Sequence, residues 1–300
     1  MDDITAGSAL NFDSCVTVNP DGSLEVGTFN SSSTGKTGPN ATTTIDSIPE
    51  KCVCYTAAYV DTIYNILCAK FDETKNNSPL ATAKLWEIVV GMPADCKTAL
   101  ERDFSIDVPE GILIFDLGEN LMTYSQQLAD ECGEDENIVI LMTEYNIRST
   151  NAKITESTVQ TIESNTGGKV KFVFVLSNSL SMVMSNTEMI GTLLGIDNTQ
   201  DFIENIQIKI HVMKDAISKM QLESKKKVYV ETAAGKAAGS ENLITNLLTD
   251  ILDLKNIADY LELMDSKLSD EQIVSEKPDI IIFYLSDSRT MDEKMRVPST

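Results

Sequence analysis

Short apolar runs separated by stretches with helical spacing occupy most of the chain from residue 48 onward. Continuous apolar runs are typical of strands buried on both faces, and apolar residues every three or four positions indicate helices. The runs predict strands at 51–55, 87–91, 111–115, 137–142 and 170–176. The spaced stretches predict helices at 57–69, 124–132 and 156–164. Alternating strands and helices favour an α/β fold with a mostly parallel sheet.

The first 47 residues follow a different pattern. Two short alternating stretches, 16–18 and 24–26, flank Asn19-Pro20-Asp21-Gly22 and predict a small hairpin. Residues 30–44 are almost entirely Ser, Thr, Gly, Asn, Pro and Lys, which indicates a loop. We therefore predict that residues 1–47 form an extension or linker outside the core.

One long helix is predicted in the second half of the chain. Apolar residues recur at steps of four, four, three, four and three: Phe202, Ile206, Ile210, Met213, Ile217 and Met220. A helix of about 25 residues within 197–224 is about 38 Å long. That length is sufficient to join two lobes.

The α/β pattern resumes after this helix. Strands are predicted at 228–231 and 279–284, with a loop at 232–240 and helices at 242–254 and 270–275. The predicted organisation is thus a first α/β lobe at 48–196, a linking helix at 197–224 and a second α/β lobe at 225–300.

Charge narrows the classes of partner. The net charge is −22 and the only basic run is 225–227, so a nucleic-acid partner is excluded, since phosphate binding needs a positive surface. No apolar run approaches the length of a membrane-spanning helix, which is about 18 residues. The start, Met1 to Thr5, carries no export signal. Either the protein is cytoplasmic, or the sequence is that of a mature form that has lost its export signal.

Motifs of enzymes and of metal-ion receptors are missing from the sequence. There is no Gly-rich phosphate loop and no GxSxG elbow, and His211 is the only histidine. A single histidine on a predicted helix leaves few options for a general base and cannot supply a histidine-rich zinc or manganese site. We predict a protein that is not an enzyme, needs no cofactor and has no metal-ion site.

An ordered set of motifs in the second half carries a family resemblance. Lys227-Val-Tyr-Val-Glu is followed by a loop ending Gly239-Ser240, then Asn256-Ile-Ala, Leu268-Ser-Asp-Glu-Gln-Ile, and Lys277-Pro-Asp-Ile-Ile-Ile. In the first half, 49–53, 126–142 and 189–195 show weaker matches. Over residues 48–284 the chain resembles the helix-linked (class III) substrate-binding proteins of ABC importers, of the cobalamin, haem and iron–siderophore type.

The resemblance implies a fold, a function and partners. It implies two α/β lobes joined by one helix, with a metal chelate or macrocycle held in the cleft between them and delivered to ABC permease subunits. It also implies an extracytoplasmic location for a mature chain that has lost its signal or anchor, and Glu241 as a residue that docks on the permease. Because the chain stops at Thr300, soon after the last motif, we expect a shortened second lobe. A cell-surface adhesion or sensory module that keeps the fold without transport stays open as the alternative.

Candidate ligand-binding residues follow from the strand ends. In open α/β sheets, ligands bind at the carboxyl ends of the strands. Flat chelates need aromatic faces, and anionic groups need cations. The first-lobe candidates are Tyr55, Thr56, Tyr145, Arg148, Ser177 and Asn178, and the second-lobe candidates are Thr232, Lys236, Tyr284, Ser286 and Arg289. Two of the four arginines of the chain are among them, which favours an anionic ligand. Trp86, the only tryptophan, is predicted to belong to the core.

Overall fold

A computed structural model gives the architecture. It describes residues 12–33, 38–75, 78–115, 121–130, 136–148, 154–220, 224–233, 236–240, 242–261 and 266–283. The chain divides into two compact units. The N-terminal unit comprises 12–176 and 184–205, and the C-terminal unit comprises 177–183 and the residues from 206 onward.

A three-stranded antiparallel sheet opens the N-terminal unit. Its strands are β1 (Val16–Val18), β2 (Leu24–Thr28) and β3 (Ala41–Ile45), in the order β1-β2-β3. The predicted hairpin is confirmed, because β1 and β2 pair with Val16 opposite Val26. The third strand was not predicted: Thr42, Thr43 and Thr44 lie in the stretch assigned to a loop. A run of threonines is poor in apolar signal but has high strand propensity.

A five-stranded parallel sheet forms the centre of the same unit, in the spatial order β6-β5-β4-β7-β8. The strands are β4 (Lys51–Cys54), β5 (Val89–Pro93), β6 (Leu113–Phe115), β7 (Ile138–Thr143) and β8 (Val170–Val175). All five predicted strands are present, and the parallel α/β prediction is confirmed. The largest difference between the predicted and the observed bounds is at β5, because the preceding helix continues to Ile88.

Helices separate these strands. They are α1 (Ala57–Lys70), α2 (Pro79–Ile88), α3 (Ala94–Ala99), α4 (Leu121–Asp130), α5 (Tyr145–Arg148), α6 (Glu156–Asn165), α7 (Leu180–Leu193) and α8 (Thr199–Ser218). A π-helical turn, Leu100–Phe104, extends α3. Two of the longer helices, α2 and α7, were not predicted. In α2, proline occupies the first turn, where its missing N–H has no intrahelical partner to lose.

The main core of the N-terminal unit lies on one face of the parallel sheet. The inward residues of α1, such as Ile63 and Leu67, pack with Cys52, Cys54 and Leu141 of the central strands, and all five are at most 1% exposed. Leu24, Val26 and Ile45 of the small sheet belong to the same core and are fully buried.

The small sheet contacts β8, the edge strand of the parallel sheet. The Phe174 N–H donates to Thr28 Oγ1 (2.7 Å), and the Thr28 hydroxyl donates to the Phe174 carbonyl (3.3 Å). Ser31 donates through its N–H and its hydroxyl to the Glu156 carboxylate on α6. The prediction that residues 1–47 are a linker outside the core is therefore wrong for the part described. These residues satisfy an edge strand that would otherwise expose unpaired backbone groups.

The C-terminal unit contains a second, smaller sheet. Its elements are β9 (Lys227–Ala233), β10 (Lys236–Ala237), α9 (Leu243–Asp250), β11 (Lys255–Asn256), β12 (Ser266–Lys267), α10 (Asp270–Glu276) and β13 (Ile280–Phe283). Strand β9 pairs in parallel with β11 and β13 and antiparallel with β10. The strand and helix predictions for this region are confirmed, except that β9 is longer and part of the predicted 232–240 loop is the β9–β10 hairpin.

Helix α8 corresponds to the predicted linking helix. It has 20 residues, which is about 30 Å at the usual rise, and it ends before the predicted limit at residue 224. Residues up to 205 belong to the N-terminal unit and the rest to the C-terminal unit, so the helix carries the chain from one unit into the other. Its apolar stripe is buried at Ile210 (5% exposed) but exposed at Met213 (43%).

Candidate functional site

The order of the parallel strands marks one position on the sheet. The chain runs from β4 outward to β5 and β6 and then returns to β7, on the other side of β4. The connections leaving β4 and β7 therefore diverge at the carboxyl ends of these two strands. In open α/β sheets, such a switch point is where ligands bind.

Tyr55 and Thr56 follow β4 at this switch point, as predicted. The Tyr55 N–H donates to the Leu141 carbonyl of β7 (2.9 Å), which ties the chain after β4 to the neighbouring strand. The Tyr55 side chain is mostly buried, and this burial raises the pKa of its hydroxyl. Thr56 is the N-cap residue of α1, but its hydroxyl makes no capping bond and has no hydrogen-bond partner among the described residues.

Three aromatic rings meet at the same edge of the sheet. The centroids of Tyr55 and Phe115, the last residue of β6, are 5.4 Å apart, and those of Phe115 and Tyr124 of α4 are 5.1 Å apart. Both pairs are tilted, with separations typical of favourable aromatic contacts. Neither Phe115 nor Tyr124 was predicted as a site residue. Tyr55 was selected because it lies at the end of a strand. The same rule also selects Phe115.

A carboxylate lies at the end of β7. Glu144 directly follows the strand, is fully buried, and donates its N–H to the Val175 carbonyl (2.9 Å). Its charge adds to the effect of burial in raising the pKa of Tyr59, in the first turn of α1. Sequence analysis missed Glu144, although it stands beside the predicted Tyr145, because a buried acid cannot be distinguished from a surface acid in one sequence.

The next residues fix the turn after β7. Asn146 Oδ1 accepts from the N–H of Thr143 (3.1 Å) and from its hydroxyl (2.6 Å), a local turn that ends the strand. Tyr145 is half-buried and lies at the carboxyl edge with Tyr55 and Thr56, as predicted. Arg148 is the last residue of α5, and its side chain lies outside the described part of the structure.

Buried thiols lie beneath this edge. Cys52 and Cys54 point to the same face of β4, as predicted for residues two apart, with their sulfur atoms 3.7 Å apart. Burial raises the pKa of Cys54, so its nucleophilic thiolate form is disfavoured. These cysteines are core residues. Among the described residues, no group of three or more His, Cys, Asp or Glu side chains could hold a metal ion.

Ser177 and Asn178 follow β8 but belong to the C-terminal unit. This differs from the prediction, which placed them in the first lobe. The Asn178 carbonyl accepts from the Asn246 side-chain amide on α9 (2.7 Å), a contact within that unit. The backbone of Asn178 thus has a structural role that the sequence did not indicate.

The C-terminal unit holds two predicted residues in one hairpin. Thr232 lies within β9 and Lys236 in β10, rather than in a loop, and the Thr232 hydroxyl donates to the Lys236 carbonyl (3.4 Å). Beside them, the Tyr229 hydroxyl donates to the buried carboxylate of Glu231 (2.9 Å). The predicted residues Glu241, Tyr284, Ser286 and Arg289 lie outside the described residues.

Comparison with solved structures places this architecture among known folds. A periplasmic solute-binding protein of Veillonella parvula superimposes with a TM-score of 0.54 over 84% of this chain and 68% of its own, at 15% identity. The chain has the fold of the periplasmic solute-binding proteins. The resemblance stated from the sequence motifs is confirmed at this level.

Two further structures with the solute-binding fold are described by their ligands. The haem-binding protein HutB of Vibrio cholerae matches with a TM-score of 0.52 at 14% identity, covering 78% of this chain and 75% of its own. The siderophore-binding protein BauB, bound to ferric iron and acinetobactin, matches with a TM-score of 0.50 at 14% identity, over 85% of this chain and 77% of its own. No family model and no curated protein matches the sequence. None of the described helices is long and apolar enough to span a membrane.

Proposed function

We propose that this protein is an extracytoplasmic binding protein that captures a metal chelate or macrocycle, such as a ferric siderophore, haem or cobalamin, for an ABC importer. The observation that carries the proposal is the aromatic group of Tyr55, Phe115 and Tyr124 at the switch point of a solute-binding fold. Aromatic rings offer flat apolar contacts to a macrocycle or an aryl chelate at low entropic cost.

Polar groups at the same edge support binding rather than catalysis. The Thr56 hydroxyl lacks a partner among the described residues, and it stands at the first turn of α1, where backbone N–H groups can donate to a ligand oxygen. In our proposal, Tyr145 and Arg148 complete the N-terminal part of the site. Ser177, Asn178, Thr232, Lys236, Tyr284, Ser286 and Arg289 contribute the remainder, and Glu241 docks on the permease.

Titration of the purified protein tests the proposal. Cobalamin, haem, a ferric catecholate and a ferric hydroxamate are added separately, and binding is followed by ligand absorbance and by the thermal unfolding temperature. We expect saturable binding of one of these chelates. Tyr124→Ala should weaken it about tenfold, the effect of losing one well-placed aromatic contact.

Tyr260→Ala is the matched control. Tyr260 is 62% exposed and is not among the residues proposed to contact the ligand, so its loss should leave affinity unchanged. Absence of binding to all four chelates, with an unchanged thermal transition, would refute the ligand class and favour an adhesion or sensory module. Equal losses in the two tyrosine variants would refute the location of the site.

A further inference from the structure

A cavity lies beside the first residues of strands β5 and β6. It has a volume of about 630 Å³ and is bounded by Trp86 of α2, Val90 of β5, Ile112 before β6, and Leu128 of α4. Because Trp86 stands two residues before the end of α2, and α2 leads directly into β5, the cavity is at the amino ends of the strands. All of these residues belong to the N-terminal unit.

The lining of this cavity differs from the aromatic group proposed above. Its strand residues are Val90 of β5 and Leu113 and Ile114 of β6, and Ile114 directly precedes Phe115 of the aromatic group, so the two sites are neighbours. The volume is in the range of small-molecule sites, about 300 to 1,000 Å³. A cavity of this size can therefore take a small ligand of its own.

The walls of the cavity favour an aromatic ligand. Trp86 is half-buried and packs against the main core, so one part of the indole is held in place while the other part faces the cavity. Val90, Ile112 and Leu128 provide aliphatic surface around it. An indole fixed in this way is a preformed surface for stacking with a ring.

Charge selects among aromatic ligands. Among the described residues that line the cavity, none is basic, and the exposed residue Glu110 contributes a carboxylate. The net charge of −22 further disfavours an anion. A cation gains both from the carboxylate and from the indole face, the strongest aromatic partner for a positive charge.

We propose that this cavity is a second ligand site, which binds a small aromatic molecule carrying a positively charged amine. The aromatic ring lies against Trp86 and the aliphatic wall, and the ammonium group faces Glu110. Nothing in this arrangement depends on the metal-chelate function, so either site can be tested without the other.

Tryptophan fluorescence tests the proposal, because Trp86 is the only tryptophan of the chain. The probes are 4-phenylbenzylamine, 4-phenylbenzyl alcohol and biphenyl-4-carboxylate, which share two rings and differ in charge. With excitation at the red edge of the indole band, we expect a saturable change with the amine, a weaker one with the alcohol, and the weakest with the carboxylate.

Three variants locate the ligand. Glu110→Gln should weaken amine binding about fivefold, the upper range of an exposed ion pair, and leave the alcohol unchanged. Asp107→Asn is the matched control: it removes an exposed carboxylate of the same loop that does not line the cavity. Gln127→Lys, at an exposed position of the cavity lining, should reverse the preference in favour of the carboxylate.

Two results would overturn the proposal. One is the absence of a saturable change in Trp86 emission with any of the three probes. The other is a preference for the amine that persists unchanged in both Glu110→Gln and Gln127→Lys, since the charge of the cavity lining would then have no part in recognition.

Discussion

Replacing Thr28 with valine tests how the edge of the parallel sheet is closed. The two side chains have nearly the same shape, so the substitution removes the hydroxyl and adds little strain. In the wild type, the hydroxyl accepts from the Phe174 N–H at 2.7 Å and donates to the Phe174 carbonyl at 3.3 Å. Thr28 is only 7% exposed, so water does not readily replace these bonds.

The expected cost follows from the group left without a partner. The Phe174 N–H points away from β7, and burying an unsatisfied donor costs about 1 to 3 kcal/mol. Loss of the longer bond to the Phe174 carbonyl adds little to this cost, because a carbonyl oxygen finds another donor more easily. We expect Thr28→Val to lower the free energy of unfolding of the N-terminal unit by about 2 kcal/mol.

Urea unfolding followed by Trp86 emission measures this value, since the only tryptophan lies in the N-terminal unit. Amide exchange at Phe174 provides a local readout and should accelerate in the variant. Thr42→Val is the control: it makes the same change at an exposed position of β3, where we expect less than about 0.5 kcal/mol. Equal destabilisation by the two valines, with Phe174 exchange unchanged, would refute the role assigned to Thr28.

Three further predictions follow from single contacts. Gly191→Ala should destabilise the N-terminal unit by about 1 to 3 kcal/mol in urea unfolding, because a Cβ there would collide with the Thr199 side chain. Ser269→Ala should remove the capping box of α10, lowering local stability by about 1 kcal/mol and accelerating exchange in its first turn. Glu156→Gln should reduce stability at neutral pH, since hydrogen bonds from Ser31 hold the pKa of Glu156 below its ordinary value of 4.5. That contribution is present above pH 4.5 and is lost as the pH falls through the lowered pKa, so the two proteins should converge in acid.

Each of these changes has a matched control. Gly38→Ala places a Cβ in open space, Ser275→Ala removes a serine of α10 that is not its cap, and Glu204→Gln neutralises an exposed carboxylate of α8. If a control variant changes stability, amide exchange or pH dependence as much as the test variant it is paired with, the contact named for that test variant does not cause the change.

The parallel strands could be predicted from the hydrophobic pattern alone because they are buried. Strands covered on both faces are continuously apolar, as in Ile138–Thr143, and such a run has few other interpretations. Strand β3 was missed because its exposed threonines give no apolar signal. Helix α7 was missed because apolar and small polar residues alternate along it without a clear stripe.

The sequence predicted that Tyr55, Thr56 and Tyr145 lie at the carboxyl ends of strands, and the structure places them there. Phe115, Tyr124 and Glu144 could be recognised as candidate site residues only from the fold. Phe115 and Tyr124 come from segments far from Tyr55 in sequence, and only the strand order brings the three rings together. Glu144 acquired its significance from burial, which depends on what packs over it.

The sequence by itself determined the α/β class, the long helix and the ordered motifs of the solute-binding fold, because these depend on local periodicity and spacing. Only the tertiary structure decided that the first strands belong to the core, since Thr28 and Phe174 are 146 residues apart. It also decided that Trp86, which packs against the core, lines a cavity as well. Contacts between distant segments leave no periodic trace in a chain, so their partners emerge only when the sheet is assembled.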